Sequence, residues 1–157
     1  MVLAGETFGF FSPAIGGTGR EMPKESILFV CVENAGRSQM AEAFARKLGL
    51  DASSAGTVPS TTINPTVIKV MKEKGFDLSA NSPKLLTSAM IDRAGLVVTM
   101  GCSVAEVCPL PMLAKMQKKL VDWDLDDPKG KPVEDVRKIR DEIDSRVRKL
   151  ARLGSGR

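Results

Sequence analysis

Cys31 and Arg37 stand six positions apart in the stretch FVCVENAGRSQ, and Ser38 follows the arginine directly. A thiol and a guanidinium joined by one short loop suit the capture of a tetrahedral oxyanion. The five residues between them, Val32, Glu33, Asn34, Ala35 and Gly36, can turn their backbone N–H groups toward a single point. A helix beginning after them would aim its positive end at the same point. Arg37 can hold two oxygens in a bidentate fork. Gly36 is read as supplying a backbone conformation that other residues resist. Such surroundings, with the Ser38 hydroxyl added, favour a thiolate over a thiol and make Cys31 a nucleophile. The chain has no histidine, which removes Cys-His proteases and His-based phosphatases from consideration and leaves a loop-activated cysteine intact. A lone cysteine is more often an inert small hydrophobe. The apolar run before this one, the helical pattern after it and Ser38 beside Arg37 favour function instead.

Two more cysteines and a pair of carboxylates could complete a site. Cys102 and Cys108 are spaced C-x5-C in GCSVAEVCP. A thiolate on a loop can attack a sulfur already bonded to an oxidised partner, so the pair could be a thiol relay. It could also be two incidental cysteines, because the spacing alone is a weak signal. Asp126 and Asp127 precede Pro128. A carboxylic acid near a bound oxyanion can protonate its leaving group, although Asp before Pro is also a common turn signal. From spacing alone the two aspartates are equivalent candidates. Asp122 and Asp124 are expected in solvent.

The elements that must position these groups alternate. Ile27–Val32 is a continuous apolar run of the kind buried on both faces of a parallel sheet. A helix follows from Ser38 to Leu48, with Met40, Phe44 and Leu48 on one face and Gly49 at its end. ASSAG at 52–56 reads as a second strand, and a helix runs from Pro65 to Gly75. SPKLLTSAMIDRA suggests two short helices capped by Ser82 and Ser88, and Leu96–Met100 a third strand. Lys119–Trp123 gives a fourth strand, and Val133–Leu150 a last helix with Val136, Ile139, Ile143, Val147 and Leu150 in one stripe. This order predicts an α/β fold, an open four-stranded parallel sheet with helices on both faces. Ligands bind such sheets at the carboxyl ends of the strands. Cys31, Cys102 and the Asp126–Asp127 pair all fall at or just beyond those ends.

The 157 residues fit one domain, and the 43% hydrophobic content is enough for a core, although aromatics supply only 4%. Residues 1–24 read as a flexible N-terminal extension, 25–152 as a single catalytic domain and 153–157 as a frayed tail. Within the extension, GGTGR matches no phosphate-loop pattern and reads as linker. The formal charge of +4 is modest. Its basic clusters lack interleaved aromatics, so no nucleic-acid partner is expected. Three cysteines without histidine fall short of a structural zinc site. No leader or membrane-spanning stretch is apparent, so a reducing, cytoplasmic location is the expectation.

FVCVENAGRSQMAEAF closely resembles the active-site segment of thioredoxin-coupled arsenate reductases, which share the fold of low-molecular-weight protein tyrosine phosphatases, a flavodoxin-like three-layer sandwich. The resemblance runs from Ser26 to Leu150 and is strongest in NAGRSQMAEAF, SAG at 54–56, LVVTMGC and WDLDDPKGKP. It implies that the Asn34 side chain braces the cysteine loop and that Asp127 is the general acid. It implies further that Cys31 attacks arsenate held by the loop and Arg37, and that Cys102 attacks the resulting adduct, releasing arsenite. Cys108 then takes over the disulfide for reduction by thioredoxin or a similar thiol reductant. The family carries its cysteine pair after the same strand with slightly different spacing, and Pro109 matches. Phosphate and sulfate are the implied competing oxyanions, no tightly bound organic cofactor is implied, and a monomer is expected. Some members bind potassium, a pattern that Glu42 and Ser54 fit. Lys84 stands where those members carry an aspartate, so its ammonium is expected in place of the metal. Two rivals share the loop. A tyrosine phosphatase would read RSPMAE and have aromatic residues near the DP, whereas this chain reads RSQMAE and has no tyrosine. A non-catalytic oxyanion-binding module would not need the nucleophile.

Overall fold

The computed structural model describes residues 26–101, 108–117 and 119–155. The proposed extension 1–24, and Cys102 with its neighbours to 107, lie outside the described residues. In chain order the elements are β1 Ile27–Cys31, α1 Arg37–Lys47, β2 Ala52–Gly56, α2 Pro65–Lys72 and α3 Ser88–Arg93. They continue with β3 Leu96–Thr99, α4 Leu110–Gln117, β4 Leu120–Asp122 and α5 Val133–Ser155.

The four strands pair in parallel in the order β2-β1-β3-β4. The order therefore switches between β1 and β3, and a crevice opens where the connections leave in opposite directions. All five residues of β1 are buried because both faces of the sheet are covered. On one face Phe29 and Cys31 pack with Met40 and Phe44 of α1, Val67 and Met71 of α2, and Val136 and Ile143 of α5. On the other, Leu28 and Val30 pack with Ile91 of α3, Met116 of α4 and Cys108. Fully burying a side chain of the size of Phe29 contributes about 1.5–3 kcal/mol. The alternation of β1 thus places Cys31 toward α1 and leaves Cys108 on the opposite side of the sheet.

Helix ends follow local chemistry. The Asn64 side chain accepts from Thr66 N at 2.9 Å and caps α2, with Pro65 in its first turn. Gly49 and Gly75, past the ends of α1 and α2, take φ values of +86° and +88°, which glycine adopts without steric cost. Three sequence expectations are corrected. Residues 82–87 form no helix: Leu85 bridges Gly56 in parallel, with Gly56 N donating to Lys84 O and Leu86 N to Gly56 O, both at 2.8 Å. The strand edge captures those backbone groups before a helix can. Thr87, not Ser88, caps α3, its hydroxyl accepting from Met90 N at 3.2 Å. Finally, α5 continues past Leu150 to Ser155 and takes in residues 153–155 of the proposed tail, because Ala151, Arg152 and Leu153 are good helix formers.

An ion-pair cluster flanks the apolar contact between α2 and α5. Glu73 accepts from Arg137 Nη2 at 2.7 Å and from Arg140 Nη1 at 2.8 Å. Buried Arg140 also donates to Val70 O at 2.9 Å. The hydrogen bonds from Arg137, then those from Arg140, pull the Glu73 carboxyl down from 4.5 to about 2. A carboxyl lowered by folding stabilises the fold above its unfolded value, and that contribution is lost as the pH falls. The wild type is therefore expected to melt above Glu73→Gln at pH 7. The gap in Tm should shrink as the pH drops through 4.5 toward 2. A gap that stays constant over that range would rule this cluster out as an acid-sensitive element.

Candidate active site

The loop from Val32 to Gly36 leaves the end of β1 at the switch point and runs into α1. Its return path is pinned by β2 and the chain beyond it. Thr57 N donates to Cys31 O, Val58 N to Val32 O, Ser60 N to Glu33 O and Asn64 N to Ala35 O, at 2.8–3.3 Å. With its carbonyls turned outward to these donors, the loop can present N–H groups inward. Gly36 is the N-cap of α1, and no side chain caps it. No side chain therefore caps the first N–H groups of the helix, and a helix start of this kind can receive an anion.

Cys31 is only 3% exposed and sits at the base of this loop. Its Sγ is 2.8 Å from Ser38 Oγ and accepts from Asn34 N at 3.2 Å. When Cys31 is a thiolate, Ser38 donates to it, so two hydrogen bonds meet the sulfur. Asn34 braces the arrangement. Its Nδ2 donates to Ser38 Oγ at 2.8 Å and to Ser54 Oγ at 3.0 Å, and its Oδ1 accepts from Gln39 Nε2 at 3.0 Å and Lys84 N at 2.8 Å. All four hydrogen-bonding positions of this fully buried amide are used. Ser54 Oγ donates to Glu42 Oε1 at 2.5 Å, and Lys84 Nζ stands 3.7 Å from the same oxygen. The lysine ammonium thus lies beside the carboxylate, where a cation was considered from the sequence.

Gly36 takes φ −148° and ψ −91°, whereas the left-handed residue of the loop is Asn34, with φ +52°. Asparagine tolerates that region, and its satisfied side chain holds it there. What Gly36 provides is room, since a Cβ would lie 2.9 Å from Pro128 Cγ. The Pro128 ring therefore packs directly on the cysteine loop and brings its neighbour Asp127 over the pocket.

Arg37 is fixed before any anion arrives. Its Nη1 donates to Met100 O at 3.0 Å and to Leu125 O at 2.9 Å, and its Nη2 lies 3.8 Å from Asp127 Oδ2. Gly101 makes this possible, since a Cβ there would fall 2.6 Å from Nη1. Asp127 Oδ1 accepts from Lys129 N at 3.0 Å, which sets the carboxylate's orientation. Asp127 and Arg37 line the same cavity as Cys31, about 320 Å³ in volume, whereas Asp126 does not. Val32, Glu33, Ala35 and Gly36 also line it, while Asn34 and Ser38 stand behind the loop as support. Asp122 and Asp124 are exposed as expected, but Asp122 Oδ1 also accepts from Thr99 Oγ1 at 2.8 Å and steadies the chain entering the Asp127 loop.

Cys108 is a free thiol, as is Cys31. It lies outside the cavity, packed on the far face of the sheet with Leu28, Val30 and Leu86. Burial pushes its thiol above the usual range. Three further contributors act through contacts that the sequence reading did not assign to them. Gln39 is buried in the first turn of α1 and ties Asn34 to Ser82 O at 3.3 Å. Its amide oxygen accepts from Asn81 Nδ2 at 3.1 Å. Gly101 and Lys129 act through contacts distant in sequence. The clue to Gln39 is that it stands in RSQMAE where the phosphatase pattern RSPMAE has proline.

An α/β fold with a parallel 2-1-3-4 sheet and a Cys-x5-Arg loop at its switch point is a well-defined class. Residues 26–154 match the low molecular weight phosphotyrosine protein phosphatase family, and the chain belongs to that family. The chain is 41% identical over 127 residues to the arsenate reductase of Staphylococcus aureus strain Newman, covering 78% of this chain and 92% of that protein. A structure described as an arsenate reductase in the phosphate binding state superposes with a TM-score of 0.70 at 33% identity, covering 81% of this chain and 96% of that one. The YwlE arginine phosphatase from Geobacillus stearothermophilus superposes with a TM-score of 0.72 at 28% identity, covering 82% of this chain and 91% of that one.

Proposed function

We propose that this chain reduces arsenate to arsenite by way of Cys31, Cys102 and Cys108. The Cys31 thiolate attacks arsenic in an arsenate held by the loop amides, the α1 end and Arg37. Asp127 protonates the departing oxygen, which leaves as water, and a Cys31–arsenic bond forms. Cys102 then attacks the Cys31 sulfur. The sulfur–arsenic bond breaks with its electron pair kept by arsenic, which falls from the pentavalent to the trivalent state, and a Cys31–Cys102 disulfide remains. Cys108 attacks Cys102, frees Cys31 and leaves a Cys102–Cys108 disulfide. An external dithiol, thioredoxin or a similar reductant, returns two electrons to it. The protein is read as a cytoplasmic monomer. Among the described residues no helix is long and apolar enough to cross a membrane.

The observation that carries this reading is the 41% identity to a protein named arsenate reductase, extending over 92% of that protein's length. The cavity that gathers Cys31, Arg37 and Asp127 supports the oxyanion half of it. Arsenate-dependent NADPH oxidation, coupled through thioredoxin and thioredoxin reductase, tests it. Wild type should turn over, whereas Cys102→Ser and Cys108→Ser should stall after at most one turnover. Both variants should keep any p-nitrophenyl phosphate hydrolysis, which needs only Cys31. A wild type that ignores arsenate but hydrolyses the ester would transfer the site to phosphatase chemistry.

A further inference from the structure

The cavity has a mouth that the reaction above does not use. Glu33, on the cysteine loop, and Lys129, two residues past Asp127, line the cavity together and meet at 3.1 Å, Nζ to Oε2, across a sequence separation of 96 residues. Their side chains are 38% and 69% exposed, while Cys31 at the base is 3% exposed. The pair therefore sits at the outer end and joins the two walls of the pocket. The walls are already drawn together below it by Pro128 against Gly36 and by Arg37 on Leu125 O.

Volume alone does not decide what this pocket takes. At about 320 Å³, it falls at the small end of cavities that accept organic ligands. A bare tetrahedral oxyanion fits easily, and an ester with a small organic group would fit as well. Selection against esters must come from elsewhere. Among the described residues no aromatic side chain lines the cavity, so an aryl group finds no stacking surface on them. A substituent on the oxyanion would have to leave through the mouth, where Lys129 and Glu33 meet.

We propose that the Glu33–Lys129 ion pair is the specificity-determining element of this pocket, a latch that admits unsubstituted oxyanions and disfavours phosphomonoesters. An oxyanion enters when the exposed pair opens, and the pair closes again behind it. An ester's organic group holds the two side chains apart and forfeits their contact. Exposed ion pairs favour their closed geometry by only a few-fold, so the discrimination is modest. The inference rests on the oxyanion-binding half of the proposed function and not on its redox half.

The test is therefore a binding measurement. Calorimetric titration with inorganic phosphate and with phenylphosphonate would be run on wild type, Lys129→Ala and the exchanged double variant Glu33→Lys/Lys129→Glu. Losing the Lys129 charge weakens both anions alike, so the ratio of the two Kd values reports the latch. Lys129→Ala should shift that ratio toward phenylphosphonate by about fivefold, and the exchanged pair should return it toward the wild-type value. An unchanged ratio in Lys129→Ala, or an exchanged variant that behaves like Lys129→Ala, would overturn the latch. A wild type that binds no phosphate would overturn the oxyanion pocket itself, an outcome distinct from a phosphate-binding protein indifferent to Lys129.

Discussion

Cys31→Ser should lose turnover on arsenate and on p-nitrophenyl phosphate by roughly four orders of magnitude or more, the scale on which removing a nucleophile acts. The fold should barely notice. Asn34 N and the Ser38 hydroxyl, at 3.2 and 2.8 Å from the sulfur, would find a serine oxygen in nearly the same place. The cost is the apolar contact that the sulfur makes with the α1 face, about 1 kcal/mol, or a few degrees in Tm. Phosphate should still bind, because Arg37 keeps its anchors on Met100 O and Leu125 O. Steady-state rates, a melting curve and a phosphate titration on the same preparation separate chemistry from folding. Residual activity above about one per cent would mean that another group attacks.

Gly56→Ala should also lower activity, by a smaller factor, although the residue touches no substrate. Gly56 lies in register with Cys31. A Cβ there would fall 2.6 Å from Val32 O and 2.9 Å from Asn34 N. Both are backbone atoms of the anion loop, so no side chain can swing aside. Nor can β2 retreat, because Gly56 is tied outward to Lys84 O and Leu86 N at 2.8 Å. The loop must move instead. Overpacking of this kind costs about 1–3 kcal/mol, and a displacement near 1 Å at reacting groups can cost about a hundredfold in rate. The expected result is a Tm lowered by several degrees and a kcat/KM lowered by about a hundredfold. An alanine variant with wild-type kinetics would show that the loop is more compliant than its hydrogen bonds suggest.

These two positions differ in how visibly the sequence announced them. Cys31, Arg37 and Ser38 were legible because a loop of fixed length between a buried strand and a helix is a local device, and spacing alone brings its ends together. The alternation that gave the parallel sheet was legible for the same reason. Asp127 became distinguishable from Asp126 only through family resemblance, and the cavity now separates them by geometry. Gly56, Gly101, Gln39 and the Glu33–Lys129 pair were not legible, because each matters through a neighbour 5 to 96 residues away. The misreading of Ser82 has the same origin. A Ser-Pro pair is a fair local sign of a helix start, but the open edge of β2 outcompetes it for those backbone groups. Gly36 was legible for its backbone, but its need for space against Pro128 was not, because that contact is long-range.

The sheet places Cys31 and Cys108 in separate core clusters on its two faces. An oxyanion enters at the switch-point crevice, while a protein reductant addressing the far-face thiol has no need of that entrance. Under the proposed relay, the two customers never queue for the same opening. Phosphate in the crevice would then compete with arsenate alone, and flooding the system with reductant would not relieve it. Electrons would reach the arsenic through the chain's own cysteines, with no reductant admitted to the pocket.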